Sequence, residues 1–235
     1  MKHPPLGPPL VRNRYHSDYA LGSLTTVTIY HDIICPWCWV GLQQAKRLKE
    51  EYGLVFDWRG AELEPPGYVA APKPKARVSA SNPTLPRSRF DIFLEKEGVV
   101  LPSPRPKSVT AQSHKALLAA EYVLLEHGPA TFDAFNEAVY HAHWIAHEDI
   151  ARVEVLMRLG EEAGADPEAL RLSVLMEEYA DHILPFDEEA YRAGIRHVPT
   201  FLFGAEEKLA EAEYAALAGA AERFLVRREK FMGVK

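Results

Sequence analysis

Cysteine is scarce in this sequence: Cys35 and Cys38 are the only two among 235 residues. One such closely spaced pair cannot build the network of several disulfides that stabilises small secreted domains. Long hydrophobic runs are lacking too, since no stretch approaches the roughly 18 consecutive apolar residues of a membrane-spanning helix. Basic residues are outnumbered, 27 Lys and Arg against 33 Asp and Glu, for a net charge of -6. We therefore expect no membrane segment and no general nucleic-acid-binding role.

The first 23 residues lack the apolar segment that is typical of a signal peptide. They are rich in proline, carry Lys2, Arg12 and Arg14, and cannot bury much apolar surface, so we predict a disordered tail over residues 1–23. We also predict a cytoplasmic location. In that compartment a lone Cys-x-x-Cys motif serves catalysis or metal binding more often than structural support.

The two cysteines lie where a predicted strand passes into a predicted helix. Residues 25–34 are rich in β-branched side chains and indicate a buried strand, whereas residues 39–52 contain no proline and indicate a helix that ends at Gly53. Unsatisfied N–H groups and the positive end of the helix dipole favour a thiolate over a thiol. We therefore predict that Cys35, exposed at the helix N-terminus, is the nucleophile. Cys38, one turn further in and more buried, is placed to attack a mixed disulfide on Cys35.

The rest of the chain alternates strand and helix around a long helical stretch. Residues 54–63 indicate a second strand, which makes a β-α-β unit with parallel strands. Helical patterns dominate the middle of the chain, and strand character returns at residues 199–203 before a final helix. This order predicts an α/β domain formed by residues 24–66 and 195–235, with a connecting loop and an inserted all-helical domain at residues 67–194.

A proline-rich and locally basic segment, residues 68–107, follows the second strand and contains one short predicted helix, residues 87–97. A loop of this length is unusual unless it has a function such as lining a site. Both interpretations, a segment that lines a site and a solvated connection, are consistent with the pattern.

Several motifs occur together along the chain. They are Asp-Ile-Ile-Cys-Pro-Trp-Cys at residues 32–38, Trp58-Arg59 with Glu62-Leu63 and Pro65, Ser113-His114-Lys115-Ala116, Glu148-Asp149-Ile150, and Gly-Ile-Arg-His-Val-Pro-Thr-Phe at residues 194–201. Their combination resembles the DsbA-like thioredoxin-fold oxidoreductases, most closely the cytoplasmic FrnE type. The resemblance runs from about residue 25 to the C-terminus.

The resemblance implies a thioredoxin-like domain (β-α-β … β-α) with a helical insertion. It implies a cis peptide between Val198 and Pro199 beside the cysteines, in a loop that binds the substrate chain through its backbone. Asp32 also matches a family position and could relay a proton or tune Cys35, although a hydrogen-bonded residue at a strand end is an equal interpretation. His197 stands where the family commonly has glycine. If it lies near Cys35, its charge would favour the thiolate.

Two neighbouring features complete the predicted site. Trp37, between the cysteines, is predicted to be exposed and to contact substrate, while Pro36 shapes the start of the helix. The run after Phe203, residues 204–211, departs from the short hairpin that is usual in the family. The sequence therefore does not support a final strand of the kind found in the family's sheet.

Three histidines, His141, His143 and His147, suggest a metal site, because two of them are four residues apart on one helix face. The zinc-protease pattern requires a Glu directly after the first histidine of that pair, and this chain has Trp144 there. No nearby cysteine or carboxylate completes a ligand set. We therefore favour a solvated or packed helix face and predict no metal.

The sequence thus predicts an enzyme, a thiol–disulfide oxidoreductase that uses Cys35 and Cys38 on protein or small-molecule thiols and disulfides. No cofactor is predicted beyond this redox pair, with glutathione as one partner that it could use. Two alternatives stay open. One is a glutathione-dependent isomerase or transferase of the same superfamily, such as 2-hydroxychromene-2-carboxylate isomerase, whose members carry serine in place of Cys35. The other is a non-catalytic binding protein whose cysteines hold metal or are inert.

Overall fold

The computed structural model describes residues 25–67, 87–102, 112–185 and 194–231, together with residues 190 and 192. The predicted tail, residues 1–23, lies outside these ranges. The strands are β1 (Thr26–His31), β2 (Val55–Glu62), β3 (Leu184–Pro185), β4 (Thr200–Phe203) and β5 (Glu207–Ala210). The helices are α1 (Pro36–Tyr52), α2 (Arg89–Glu97), α3 (His114–Trp144), α4 (Val153–Ala163), α5 (Pro167–Leu175) and α6 (Tyr214–Phe231), with a short 3₁₀ helix at Ala180–His182.

The central strand of the sheet is β1. The strand order is β3-β2-β1-β4-β5, with β1 parallel to β2 and antiparallel to β4. Ile29, which is fully buried, lies opposite Trp58 on one side and Phe201 on the other. Successive strand side chains point to opposite faces, and every second residue of β1 is buried. The predicted β-α-β unit and the later β-α unit are therefore confirmed.

The structure contains two edge strands that the sequence analysis does not predict. The helical assignment of the middle of the chain is wrong at β3, a two-residue strand that pairs in parallel with Ala61 and Glu62 of β2. Two residues are too few to show a period in the sequence. The other edge strand, β5, forms an antiparallel hairpin with β4 after Gly204, whose φ of 72° suits glycine. The hairpin thus forms despite its unusual sequence.

The helical region packs on the sheet and shares its core. Leu117 of α3 lies close to Gly60 of β2, and one hydrophobic cluster includes buried residues of the sheet as well as Phe135 and Leu156 from the helices. The long helix α3 is interrupted at Gly128, which has a φ of 81° and precedes Pro129. Within the described ranges, no helix is long and apolar enough to cross a bilayer.

The first helix, α1, is held against the loop before β4. It starts at Pro36 and ends at Gly53, whose φ of 64° provides the predicted left-handed cap. Near its start, Gly41 faces Pro199: a Cβ atom on Gly41 would lie 2.8 Å from the Cγ of Pro199. The absence of a side chain at Gly41 therefore lets the N-terminal half of α1 approach that loop closely.

This contact predicts that Gly41→Ala destabilises the protein, by about 1 to 3 kcal/mol as is usual for an overpacked core. The measurement is the free energy of unfolding from urea titration. The matched control is Gly219→Ala in α6, where the new Cβ meets only the tip of the Arg223 side chain, at 3.2 Å. That variant is expected to be neutral or stabilised by up to about 1 kcal/mol, since alanine favours helix over glycine. Equal losses in the two variants would contradict the close approach.

Candidate active site

Cys35 is the N-cap residue of α1, with extended backbone angles (φ -78°, ψ 122°). Its carbonyl oxygen accepts hydrogen bonds from the amides of Cys38, at 3.0 Å, and Trp39, at 3.1 Å. This geometry places the Cys35 side chain at the positive end of the helix dipole, as the sequence predicts. The expected exposure of Cys35 is wrong, because the residue is only 5% exposed; Cys38 is 0% exposed.

The loop before β4 lies directly on Cys35. The Cys35 Sγ donates a hydrogen bond to the carbonyl oxygen of Val198 at 3.4 Å, across 163 residues of sequence. The peptide between Val198 and Pro199 is cis, as the resemblance implies. On the other side of the loop, the Pro199 carbonyl accepts a hydrogen bond from the Glu211 amide at 3.0 Å. The structure therefore brings Cys35, Val198 and Pro199 together.

Cys38 lies below Cys35 in an apolar and fully buried position. The amide of Asp32 donates to its Sγ at 3.4 Å. Burial, followed by the hydrogen bond with Cys35, raises the pKa of the Cys38 thiol well above its usual value. Cys38 is therefore a neutral thiol at neutral pH in this state, and it must lose a proton before it can act as a nucleophile.

Asp32 follows β1 directly, and its carboxylate is buried. It accepts hydrogen bonds from the amides of Ile34, at 3.2 Å, and Leu63, at 2.8 Å. Burial raises the pKa of Asp32 to about 6, although these hydrogen bonds oppose the shift. The backbone amide of Asp32 contacts the Cys38 Sγ, and the Asp32 carboxylate is the smallest of the contributions that raise the pKa of the thiol. At pH 7 most of Asp32 is ionised and can accept a proton.

A second buried polar group, His31, lies at the end of β1. Its Nδ1 is 2.8 Å from the hydroxyl of Tyr140, and its ring packs edge-on against Trp58 with centroids 4.8 Å apart. Burial lowers the pKa of His31 to about 3, so the imidazole is neutral at physiological pH. His31 therefore adds no charge to the cysteine site.

The end of α3 fixes the turn that leads to Cys35. The Tyr140 hydroxyl donates to the carbonyl of Asp32 at 3.4 Å, and Trp144 Nε1 donates to the carbonyl of Ile33 at 2.8 Å. Neither contact is predicted from the sequence. The signal that could have found them is the spacing of the two aromatic residues, four apart on a helix, because buried Tyr and Trp polar groups usually find a partner.

Trp37 is half-buried beneath α2, and its predicted exposure is wrong. Its ring centroid lies 4.7 Å from that of Phe90 and 4.7 Å from that of Phe93, and the Arg89 guanidinium lies 5.0 Å from the Trp37 ring. The predicted helix at residues 87–97 forms at Arg89–Glu97 and lines the site through these side chains. The sequence does not identify Arg89, Phe90 and Phe93 as neighbours of Trp37, because aromatic residues on a short helix do not show which other part of the chain they contact.

His197 lies at the surface beside the Val198–Pro199 loop. Its side chain is 59% exposed, and Nδ1 is 3.5 Å from a carboxylate oxygen of Glu211. That carboxylate also binds Arg89 at 2.7 Å. An influence of His197 on Cys35 stays a prediction.

The three histidines near the end of α3 do not converge. His141 is exposed and lies beside Trp39, with ring centroids 5.8 Å apart, whereas His143 is fully buried and packs edge-on against Trp144. His147 follows the helix with a φ of 56°. Among the residues that the structure describes, no group of three His, Cys, Asp or Glu side chains could hold a metal ion.

The chain is similar to known proteins. A family model, described as the DSBA-like thioredoxin domain, matches residues 26–223. The uncharacterized protein YwbO of Bacillus subtilis (strain 168) is 24% identical over 183 residues, which cover 76% of this chain and 86% of YwbO. The predicted thioredoxin-like fold with a large helical region is therefore confirmed.

Two solved structures share the fold at low sequence identity. Cytosolic disulfide reductase DsbM from Pseudomonas aeruginosa, also solved with GSH, gives a TM-score of 0.58 at 18% identity and covers 89% of this chain and 100% of that chain. For 2-hydroxychromene-2-carboxylate isomerase the TM-score is 0.59 at 19% identity, with 88% of this chain and 98% of that chain covered. These likenesses concern the fold alone.

The buried Asp32 predicts a defined pH dependence of stability. Its pKa rises from 3.8 to about 6 on folding, so its contribution is fully present below pH 3.8 and is lost as the pH rises toward and beyond 6. At about 1.4 kcal/mol per pKa unit, the loss is roughly 3 kcal/mol. Asp32→Asn should lack this slope when the free energy of unfolding is measured from pH 4 to 7.

The control for this prediction is Asp91→Asn. Ser88 lowers the pKa of the Asp91 carboxylate below 3.8, so the contribution of Asp91 to stability is lost only as the pH falls below that value. Between pH 4 and 7 the slope of Asp91→Asn should therefore match that of wild type. If the curves of wild type and Asp32→Asn run parallel between pH 4 and 7, the carboxylate is not buried as described.

Proposed function

The chain belongs to the DSBA-like thioredoxin domain family, and we propose that it is a thiol–disulfide oxidoreductase that acts through Cys35 and Cys38. One observation carries this proposal. Cys35 is the N-cap residue of α1 and its Sγ lies against the Val198 carbonyl, while Cys38 is buried one turn further along the helix. An outer nucleophile and an inner thiol are what a two-step disulfide exchange requires.

The first step uses Cys35. The Cys35 thiol at the N-terminus of α1 releases its proton to solvent, and the resulting thiolate attacks one sulfur of a substrate disulfide. A Cys35–substrate disulfide bond forms, the substrate S–S bond breaks, and the second half of the substrate leaves as a thiolate. The substrate sulfur approaches the Cys35 Sγ beside the Val198 carbonyl.

The second step uses Cys38 and Asp32. The Cys38 thiol gives its proton to the carboxylate of Asp32, the residue whose amide contacts the Cys38 Sγ at 3.4 Å, and the thiolate attacks the Sγ of Cys35. The Cys35–Cys38 disulfide forms while the mixed disulfide breaks, and the rest of the substrate leaves as a thiolate. The protein dithiol is thereby oxidised by two electrons and the substrate disulfide is reduced. The reverse sequence transfers the disulfide to a substrate dithiol.

The substrate lies against the Val198–Pro199 loop and Trp37 in this proposal. The loop offers its backbone beside Cys35, and the half-buried Trp37 forms the apolar wall together with α2. The substrate of this proposal is a thiol or disulfide of a protein or of a small molecule. Glutathione is a candidate because DsbM, which shares the fold, has been solved with GSH.

The finer assignment is the cytoplasmic FrnE type. The motif at residues 32–38 and the segment at residues 194–201 support it, and both contribute to the cysteine site. The name of DsbM as a cytosolic disulfide reductase is consistent with a cytoplasmic location for this chain.

The second candidate function is that of a glutathione-dependent isomerase, because 2-hydroxychromene-2-carboxylate isomerase shares the fold. The resemblance places serine in those enzymes where this chain has Cys35. An inner thiol such as Cys38 has no role in a reaction without disulfide exchange. Isomerisation of 2-hydroxychromene-2-carboxylate by the purified protein, retained in Cys38→Ala, would favour this alternative.

The oxidoreductase proposal predicts that Cys38→Ala accumulates a mixed disulfide on Cys35. The buried Cys38 is then no longer present to release the substrate, so incubation with glutathione disulfide should give a stable adduct seen by mass spectrometry. Cys35→Ala is the matched control and should form at least tenfold less adduct, because its remaining thiol is fully buried. The proposal fails if glutathione disulfide labels the two variants equally. It also fails if neither variant forms a mixed disulfide, either with glutathione disulfide or with a protein whose disulfides have been reduced and re-formed.

A further inference from the structure

A positively charged side chain borders the proposed substrate site. Arg89, the first residue of α2, has a side chain that is 69% exposed, and its guanidinium lies 5.0 Å from the centre of the Trp37 ring. The same guanidinium binds a carboxylate oxygen of Glu211 at 2.7 Å. Glu211 in turn donates its amide to the carbonyl oxygen of Pro199 at 3.0 Å. Arg89 therefore contacts Trp37 and also the residue that binds the Val198–Pro199 loop.

Glu211 has an unfavourable backbone conformation. Its φ of 46° lies in the left-handed region, where glycine is favoured and a residue with a side chain is strained. Strain of this kind is commonly retained where the side chain has a function. The Glu211 side chain is only 12% exposed; its Oε2 binds Arg89, and its Oε1 lies 3.5 Å from Nδ1 of His197. The carboxylate thus holds two basic side chains beside the loop.

A second ion pair on α2 differs from this one. Lys96 binds Glu213 at 2.6 Å, and both of those side chains are exposed. Exposed pairs of this kind contribute little to stability. In the pair of Arg89 and Glu211, by contrast, the carboxylate is the largely buried partner and the guanidinium is the exposed one. The part of the pair that a dissolved molecule can reach is therefore positive.

We propose that Arg89 is a specificity-determining residue that binds a carboxylate of a small disulfide substrate while Cys35 attacks its sulfur. The inference rests on the oxidoreductase function proposed above and specifies the substrate class of the same site. A guanidinium presents its N–H donors in a planar fork that matches a carboxylate. In the part of the chain that the structure describes, Arg89 binds one carboxylate, through a single nitrogen. The rest of the fork can then bind the substrate.

The contacts of Arg89 suit this role. Glu211 and the Trp37 ring fix the guanidinium before the substrate arrives, so less side-chain freedom is lost on binding. The positive charge attracts an anionic disulfide and disfavours a cationic one. The exchange itself is unchanged: the Cys35 thiolate bonds to one substrate sulfur, the substrate S–S bond breaks, and the other half leaves as a thiolate. Arg89 transfers neither electrons nor protons.

The test compares three small disulfides that differ in charge. They are 3,3′-dithiodipropionate, which is anionic, bis(2-hydroxyethyl) disulfide, which is neutral, and cystamine, which is cationic. Mass spectrometry of quenched samples gives the rate at which each forms a mixed disulfide with Cys35 in Cys38→Ala. Adding Arg89→Gln should lower the ratio of the anionic to the neutral rate by about fivefold or more. The ratio of the cationic to the neutral rate should not fall.

The matched control is Lys96→Gln in the same Cys38→Ala protein. It removes one positive charge from the same helix and breaks an ion pair to Glu213, two residues after Glu211. Both rate ratios should stay within about twofold of those of Cys38→Ala, because Lys96 does not border the loop. A loosened α2 would slow the three reactions alike, so the ratios separate recognition from folding.

Two results would overturn the role of Arg89. One is a ratio of anionic to neutral rates that Arg89→Gln leaves within about twofold of Cys38→Ala. The other is an equal fall of that ratio in Lys96→Gln, which would show an effect of general surface charge.

The oxidoreductase proposal fails differently in this experiment. A Cys38→Ala protein that forms no adduct with any of the three disulfides overturns that function, and the role of Arg89 with it. Adducts that form on Cys35 with a ratio unaffected by Arg89→Gln overturn the role of Arg89 alone.

Discussion

The contact between Cys35 and the Val198 carbonyl is the constraint on which the rest of the site depends. It joins the N-terminus of α1 to the loop before β4, across 163 residues. Gly41 permits this approach because any side chain there would meet Pro199. On the far side of the loop, the Glu211 amide binds the Pro199 carbonyl, and Glu211 itself adopts a φ of 46°. The position of the reactive sulfur is thus set by packing as well as by its place in the motif.

The interior near the cysteines contains buried ionisable groups. Asp32, Glu62 and His31 are all buried, and burial opposes ionisation in each of them. Asp32 stays mostly ionised at pH 7 because backbone amides bind its carboxylate. Such groups destabilise a fold unless they are compensated, and functional sites are where proteins commonly retain them.

The helical region completes the site. α3 supplies Tyr140 and Trp144 from its end, where they bind the backbone just before Cys35. α2 covers Trp37 from the opposite side of the motif. Two solved structures share the fold at under 20% identity, so the fold tolerates large changes in sequence.

The sequence alone determines the cysteine pair, its place between β1 and α1, the parallel β-α-β unit and the burial order of Cys35 and Cys38, because local propensity and chain order encode these features. The resemblance adds the cis Val198–Pro199 loop. Tertiary structure decides that Cys35 is covered, that Trp37 lies beneath α2 and that β3 and β5 exist. It alone pairs Arg89 with Glu211. These features depend on contacts between residues far apart in the chain, and a short edge strand or a single distant hydrogen bond leaves no period in the sequence.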